Sequence, residues 1–231
     1  MRSKVIYSEI RNLHQWQHFY DTFLKAGFTY EAHLNYQVDL QTDDITANFS
    51  ASKRRQIRKG LKNGAYIIEN PGIEQVKDFY HILKHLYKSR INKPLPDWSF
   101  FESFYINIVQ QQLGKYILVA HNNNIIGGIM MPLYIGKMAY EWYIAGEDRT
   151  HKYLYPSVLA TWAGMRFAKE NGYSGFDFMG AGKPNVAYGV REFKSRFGGK
   201  LLNYGRFYKK HKKLIYYLMQ KYLDLKHKKR L

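Results

Sequence analysis

The period of the apolar positions changes several times along the chain, and each change marks an element. In residues 33–40, "HLNYQVDL", Leu34, Tyr36, Val38 and Leu40 alternate with polar neighbours, the period of a half-buried strand. A helix is predicted before it, near Leu13 to Ala26. From Asp43, "ITANFSASKRRQIRKGLKNG" predicts a helix ending near Gly64, then a strand "AYIIE" and a turn at Asn70 to Gly72. In "GIEQVKDFYHILKHLYKSR", Val76, Phe79, Tyr80, Leu83 and Leu86 recur at helical spacing, so one face is buried. Two prolines in "NKPLPDW" break that pattern, and a further helix is predicted from Ser99 to Gln112. Three strands follow, "KYILVA", "IIGGIMMPLY" and "KMAYEWYIAG", whose short connections "HNNN" and "IGK" predict a β-meander. A helix over Tyr155 to Asn171, a strand "GFDFMG", a short helix in "YGVREFKSRFGG", a strand "KLLNYGRFY" and a basic C-terminal helix complete the chain. The order β-β-β-α-β-α-β points to an α+β fold with a mixed sheet flanked by helices rather than a Rossmann sheet.

Composition narrows the function classes. The 231 residues are 45% hydrophobic, enough for a real core, and the 36 Lys and Arg against 18 Asp and Glu give a net charge of +18. Such an excess predicts a polyanionic partner: nucleic acid, an anionic membrane surface or a phosphorylated substrate. The 21 tyrosines suit an aromatic core with polar tips. The chain contains no cysteine, which excludes a thiol nucleophile and a Cys-based zinc site. The start "MRSKVIYSEI" lacks a secretory apolar region, and the apolar run Ile125 to Gly136 is too short to span a bilayer. A cytoplasmic protein is expected, with a peripheral place at the inner membrane face as an option for the basic tail. The pairs His14/His18 and His81/His85 have zinc-ligand spacing, but no HExxH glutamate and no third ligand accompany them.

Two stretches together resemble a known family. "GFDFMG" followed by "GVREFKSRFGG", with "SKRRQIRKGLKNGAYI" upstream, is similar to the Fem family of peptidoglycan interpeptide-bridge aminoacyltransferases, whose domains are GNAT-like, that is, N-acetyltransferase-like. The similarity runs from Ser50 to Tyr208. It implies transfer of an aminoacyl group from the 3′ ester of an aminoacyl-tRNA to an amine of a nucleotide- or lipid-linked peptidoglycan precursor, with no cofactor. It also implies that the Phe193–Lys194 pair lies by the reacting ester. Family members carry two GNAT-like domains, whereas only residues 1–42 precede the basic helix here. The expected organisation is therefore a remnant of a first domain over 1–42, a GNAT-like acyltransferase domain over 43–208 and a basic helix over 209–231.

Residue by residue, aminolysis of an activated ester needs little more than a held carbonyl, a free amine and a donor to the developing oxyanion. At 100° per residue Val190, Phe193 and Phe197 form an apolar face with Lys194 at its edge and Arg196 pointing away, so Lys194 is expected half-buried and leaning into a cleft as that donor. Arg191 serves charge or packing, or the substrate. In "SKRRQIRKGLK", Arg55, Arg58, Lys59 and Lys62 share a stripe that suits a run of phosphates, and no acid lies between Asp44 and Glu69 to compensate it. Arg90 is a candidate phosphate contact, and Tyr155 and Tyr188 are candidates to line the cleft. The C-terminal helix, with Leu214, Leu218, Tyr222 and Leu225 along one side, can lie on an anionic membrane, bind tRNA or pack on the domain. Two other readings stand beside the aminoacyltransferase: a GNAT-type N-acyltransferase using acyl-CoA, and a non-catalytic basic tRNA- or membrane-binding module. Against the first, the stretch where acyl-CoA enzymes place a glycine-rich pyrophosphate loop reads "RTHKYLYPS", with the glycines missing.

Overall fold

The structure is a computed structural model that describes residues 5–91, 93–186 and 188–228. In chain order its elements are β1 (Tyr7–Arg11), a 3-10 turn at Gln17–Phe19, α1 (Tyr20–Lys25), β2 (Thr29–Glu31), β3 (Leu34–Asp39), α2 (Ala51–Lys62), β4 (Tyr66–Ile68) and α3 (Ile73–Leu86), which runs into a π turn at Tyr87–Ile91. There follow α4 (Trp98–Phe104) with a π turn at Tyr105–Val109, β5 (Gly114–His121), β6 (Asn124–Tyr134), β7 (Met138–Tyr140), β8 (Tyr143–Gly146), α5 (Pro156–Glu170), β9 (Gly175–Gly180), α6 (Gly189–Ser195), β10 (Lys200–Asn203), β11 (Arg206–Lys210) and α7 (Lys213–Lys228). These elements form two compact units, each discontinuous in sequence.

The larger unit comprises Tyr36–Met179 and Gly189–Lys200. Its sheet runs β3-β9-β7-β6-β5-β4, and β8 also pairs with β6. The β4–β5–β6 ladder is antiparallel, while β7 and β9 are parallel, with Ala139 opposite Phe176 and Tyr140 opposite Asp177. Helices cover both faces of this mixed sheet, as expected. One apolar cluster joins it to α2 and α5 through Ile57, Val158, Leu159, Phe176, Phe178 and Phe197; another joins it to α3 and α4 through Val76, Phe79, Leu83, Phe101 and Phe104. That two-sided burial is why β5 and β6 read as continuous apolar runs.

The stretch Lys137–Gly146, expected as one strand, is two. β7 pairs with the end of β6 and then with β9, whereas β8 pairs only with the middle of β6, Gly127–Met130. The change falls at Glu141 and Trp142: the Glu141 N–H donates to Asp177 O at 2.8 Å, and the next N–H, of Trp142, donates to Met130 O at 3.0 Å. The sheet therefore forks at Glu141. The helix expected from Asp43 begins later, at Ala51, because Asp44 accepts from the Thr46 N–H at 2.7 Å and its hydroxyl at 2.8 Å, fixing a turn, and Ser50 then caps the helix by accepting from Lys53 N–H. The predicted first helix is shorter and begins as a 3-10 turn.

The smaller unit comprises the segment ending at Asn35, Gly180–Tyr188 and everything from Leu201. Its antiparallel sheet has the order β1-β11-β2, with Tyr7 opposite Lys210 and Tyr30 opposite Phe207. Phe207 is fully buried and stacks on Phe23 at 4.4 Å between ring centroids. The expected strand "KLLNYGRFY" breaks at Gly205, whose φ is +68° and where an added Cβ would stand 2.1 Å from the Tyr30 ring. Among the described residues no helix is long and apolar enough to cross a membrane.

Candidate active site

Helix α6 carries the Phe193–Lys194 pair. Phe197, just behind it, is fully buried against Phe49, Phe178 and Phe193, with centroids 5.1, 5.7 and 5.2 Å away, and it pins the helix to the sheet. The chain leaves through Gly198 and Gly199, both at positive φ. At Gly199 a Cβ would meet the Gln37 carbonyl oxygen at 2.3 Å, so the Gly-Gly stop is a steric requirement. Val190, expected on the apolar face, is exposed. The buried side of α6 consists of Phe193, Lys194 and the following Phe197, because the helix ends within two turns and its first turn does not reach the core.

Lys194 is more deeply set than the half-buried position expected: it is 6% exposed, and its ammonium donates to the carbonyl oxygen of Phe178 on β9. Two buried carboxylates share its surroundings. Glu141, at the fork, accepts from the Thr161 hydroxyl at 3.2 Å. Asp177 accepts from Gln37 Nε2 at 2.8 Å and from the Met179 N–H at 2.6 Å, and Met179 takes a left-handed φ of +59° to make that bond. Burial lowers the Lys194 pKa, against the opposing pull of Glu141 and then Asp177. Burial pushes the Glu141 carboxyl up to about 7, although the Lys194 charge and the Thr161 bond draw it down; Asp177 adds to the rise. The fork thus holds a cation aimed at a backbone oxygen, a carboxyl that exchanges its proton near neutrality and a firmly hydrogen-bonded carboxylate.

Neither acid was among the sequence candidates. The available signal was a single acid inside an otherwise apolar strand, in "YEWYIAG" and "GFDFMG". Lys53 was also missed as an individual: it is buried on α2, its ammonium 3.9 Å from the Phe193 ring centroid and 5.0 Å from that of Phe197. Burial pulls its pKa down to about 8, opposed by Asp148 and helped by Arg196.

The remaining candidates spread out. Arg55, Arg58, Lys59 and Lys62 lie on the exposed side of α2, opposite buried Ile57 and Gly60, and Lys59 sits 4.7 Å over the Tyr153 ring. The same helix presents Lys53 to Phe193, so this stripe and α6 share a layer. Arg54 is spent on the carbonyls of Thr46, Ala47 and Phe49. Arg191 is half-buried on α6, and Arg196 pairs with Glu192. Arg90 is exposed in the π turn after α3, on the other face of the sheet from α6. Tyr155 is half-buried against the α2–α5 core with φ +51° and ψ +51°, a strained conformation for a bulky residue. Tyr188 is exposed and belongs to the smaller unit.

The start of α5 has its own occupant. Asp148 accepts from the Ser157 N–H at 3.2 Å and from the Ser157 hydroxyl, placing a carboxylate where the free N–H groups and dipole of a helix would otherwise receive a phosphate. Gly146 permits this approach, since a Cβ there would stand 2.5 Å from Ser157 N and Oγ. Among the described residues no group of three His, Asp or Glu side chains is placed to hold a metal ion.

No curated protein matches the chain in sequence. The FemAB family model matches residues 120–223. Among solved structures, FemX superposes with a TM-score of 0.71 at 17% identity, covering 93% of this chain and 74% of FemX. L-PGS from Bacillus licheniformis gives 0.64 at 17% identity, with coverages of 84% and 65%. A tandem GNAT protein from the clavulanic acid biosynthesis pathway gives 0.53 at 10% identity, with coverages of 89% and 63%. The chain therefore spans about three quarters of FemX and slightly less than two thirds of the other two. The segment matched by the FemAB model spans Glu141, Asp177, Phe193 and Lys194, and the superposition on FemX shows that the fold around them is FemX-like.

Proposed function

We propose that this chain is a Fem-type aminoacyltransferase, moving an aminoacyl group from the 3′ ester of an aminoacyl-tRNA to an amine of a nucleotide- or lipid-linked peptidoglycan precursor peptide. The observation that carries the proposal is the seating of the Phe193–Lys194 pair at the sheet fork, the ammonium buried beside Glu141 and Asp177 within the FemAB-matched segment. In the reaction the amine nitrogen bonds to the ester carbonyl carbon, the C–O bond to the ribose 3′ oxygen breaks, and a proton passes from nitrogen to that oxygen. Lys194 donates to the oxyanion of the tetrahedral intermediate, in a site dry enough to make that bond strong. Glu141, titrating at about 7, is matched to accept the amine's proton and give it back. Phe193 walls the ester and is held from behind by Lys53. Arg55, Arg58, Lys59 and Lys62 supply a cationic track for the tRNA backbone, and a tRNA donor places the reaction in the cytoplasm.

Acyl-CoA fits the site less well. Its pyrophosphate would have to displace Asp148 from the start of α5, and two anions would compete for one helix terminus. The test is transfer of radiolabel from a mixture of aminoacyl-tRNAs to nucleotide- and lipid-linked muropeptides, with labelled acetyl-CoA as a parallel donor and Lys194→Met beside wild type. Label moving from tRNA in wild type alone is the expected result. Transfer from acetyl-CoA only would overturn the donor assignment, and tRNA binding without any turnover would replace the enzyme by a binding module.

A further inference from the structure

Helix α7 is turned inside out relative to an ordinary surface helix. Its anchor is Tyr216, whose ring meets Tyr7 edge-on at 5.3 Å and carries the Lys210 ammonium 4.7 Å from its centroid. Among its described side chains, Tyr216, Met219 and Gln220 are the half-buried positions. The opposite face is apolar and open: Leu214 is 72% exposed, Tyr217 63%, Leu218 55% and Tyr222 63%. With Lys221 these positions follow the i, i+3, i+4, i+7, i+8 spacing of one continuous stripe, which Leu225 extends in sequence although its side chain lies outside the described residues. The option that this stripe packs on the domain is thereby removed for Leu214, Leu218 and Tyr222. Cations surround it. From Lys209 to Arg230 the sequence has nine Lys or Arg and one acid, Asp224.

We propose that the outer face of α7 docks on an anionic phospholipid surface, the helix lying in the plane of the interface. Leu214 and Leu218 enter the boundary of the acyl chains, Tyr217 and Tyr222 sit at headgroup level, and the exposed Lys213 and Lys221 meet the lipid phosphates. A nucleic acid backbone would be served by cations at the centre of the stripe, where this helix has leucines. A second copy of the chain would bring two sets of like charges together. The inference does not depend on which acyl donor the larger unit uses.

The experiment is co-sedimentation of the whole chain with phosphatidylcholine vesicles, with and without phosphatidylglycerol, for wild type and the triple variant Leu214→Ser, Leu218→Ser, Tyr222→Ser. Because all three side chains are exposed, the variant keeps the wild-type circular dichroism. Wild type is expected to pellet only with phosphatidylglycerol present, and the variant to lose about tenfold or more in apparent affinity. Failure of wild type to bind anionic vesicles overturns the proposal, as does equal binding by the variant. A wild-type dimer in light scattering that the variant abolishes would assign the stripe to self-association instead.

Discussion

Replacing Glu141 by Gln tests the fork directly. In an unfolded chain the Glu141 carboxyl titrates near 4.5, whereas in the fold burial raises it to about 7. Between those values the native state still holds a proton that the unfolded state has lost. Stability from this group is therefore complete below pH 4.5, falls as pH rises towards 7 and stays low beyond. At 1.36 kcal/mol per unit the difference amounts to about 3 kcal/mol. Gln keeps an acceptor for the Thr161 hydroxyl and cannot ionise, so that slope should vanish. The assay is urea denaturation of wild type and Glu141→Gln at pH 5 and pH 8. Wild type is expected to lose about 2–3 kcal/mol more than the variant between the two, since part of the full difference already lies below pH 5. Parallel pH dependence in the two proteins would refute a buried, ionisable Glu141. The variant also removes the charge that supports the Lys194 ammonium, so Lys194 should lose its proton at lower pH and the alkaline limb of the transfer rate should move to lower pH.

Lys194→Met keeps the bulk of the buried side chain and removes the donor; transfer should fall about 10²–10³-fold in kcat with substrate KM little changed, measured in the radiolabel assay. For Lys53 the linkage has the opposite sign to that of Glu141. Its pKa is lowered from 10.5 to about 8, so the native state sheds the proton first, and wild-type stability should rise between pH 8 and 10.5. Lys53→Met should abolish that rise in thermal melts at pH 7 and pH 10. Gly199→Ala combines a φ of +94° with a Cβ 2.3 Å from Gln37 O, whereas Gly172→Ala has a φ of +76° and open space around it. The control should lose about 1–2 kcal/mol from backbone strain, and Gly199→Ala clearly more, by chemical denaturation.

Much of the larger unit was legible because its apolar periods are long and unbroken. β5 and β6 announce themselves as apolar runs bounded by asparagines and glycines, and α3 by five apolar residues on one face. The fork at Glu141 was not legible. Residues on both sides of it are strand formers, and a change of partner from β9 to β6 leaves the local alternation almost untouched. For the same reason Glu141 read as one polar position in a strand rather than as a buried acid. Lys53 was hidden by its neighbours: in a helix with six cations, composition cannot single out the one that turns inward beneath an aromatic ring. The Phe193–Lys194 pair was found through its family resemblance, and helical geometry alone set Lys194 at an edge because it counted Val190, which is exposed, as part of the buried face. The outward stripe of α7 was visible as a stripe, but its direction depends on Tyr7, more than 200 residues away in sequence.

The order β1-β11-β2 has a consequence for the order of assembly during synthesis. β1 and β2 do not pair with each other; both pair with β11, and Tyr7 meets Lys210. At about 5–20 residues per second, roughly 10–40 s separate translation of these two partners. Over that interval both N-terminal strands lack their partner, while the whole of the larger unit, Tyr36–Met179 and Gly189–Lys200, is synthesised. The larger unit can therefore close first and the smaller sheet last, on a strand delivered at the end. A nascent chain stalled before Arg206 would hold the proposed catalytic residues and still lack the middle strand of its other unit.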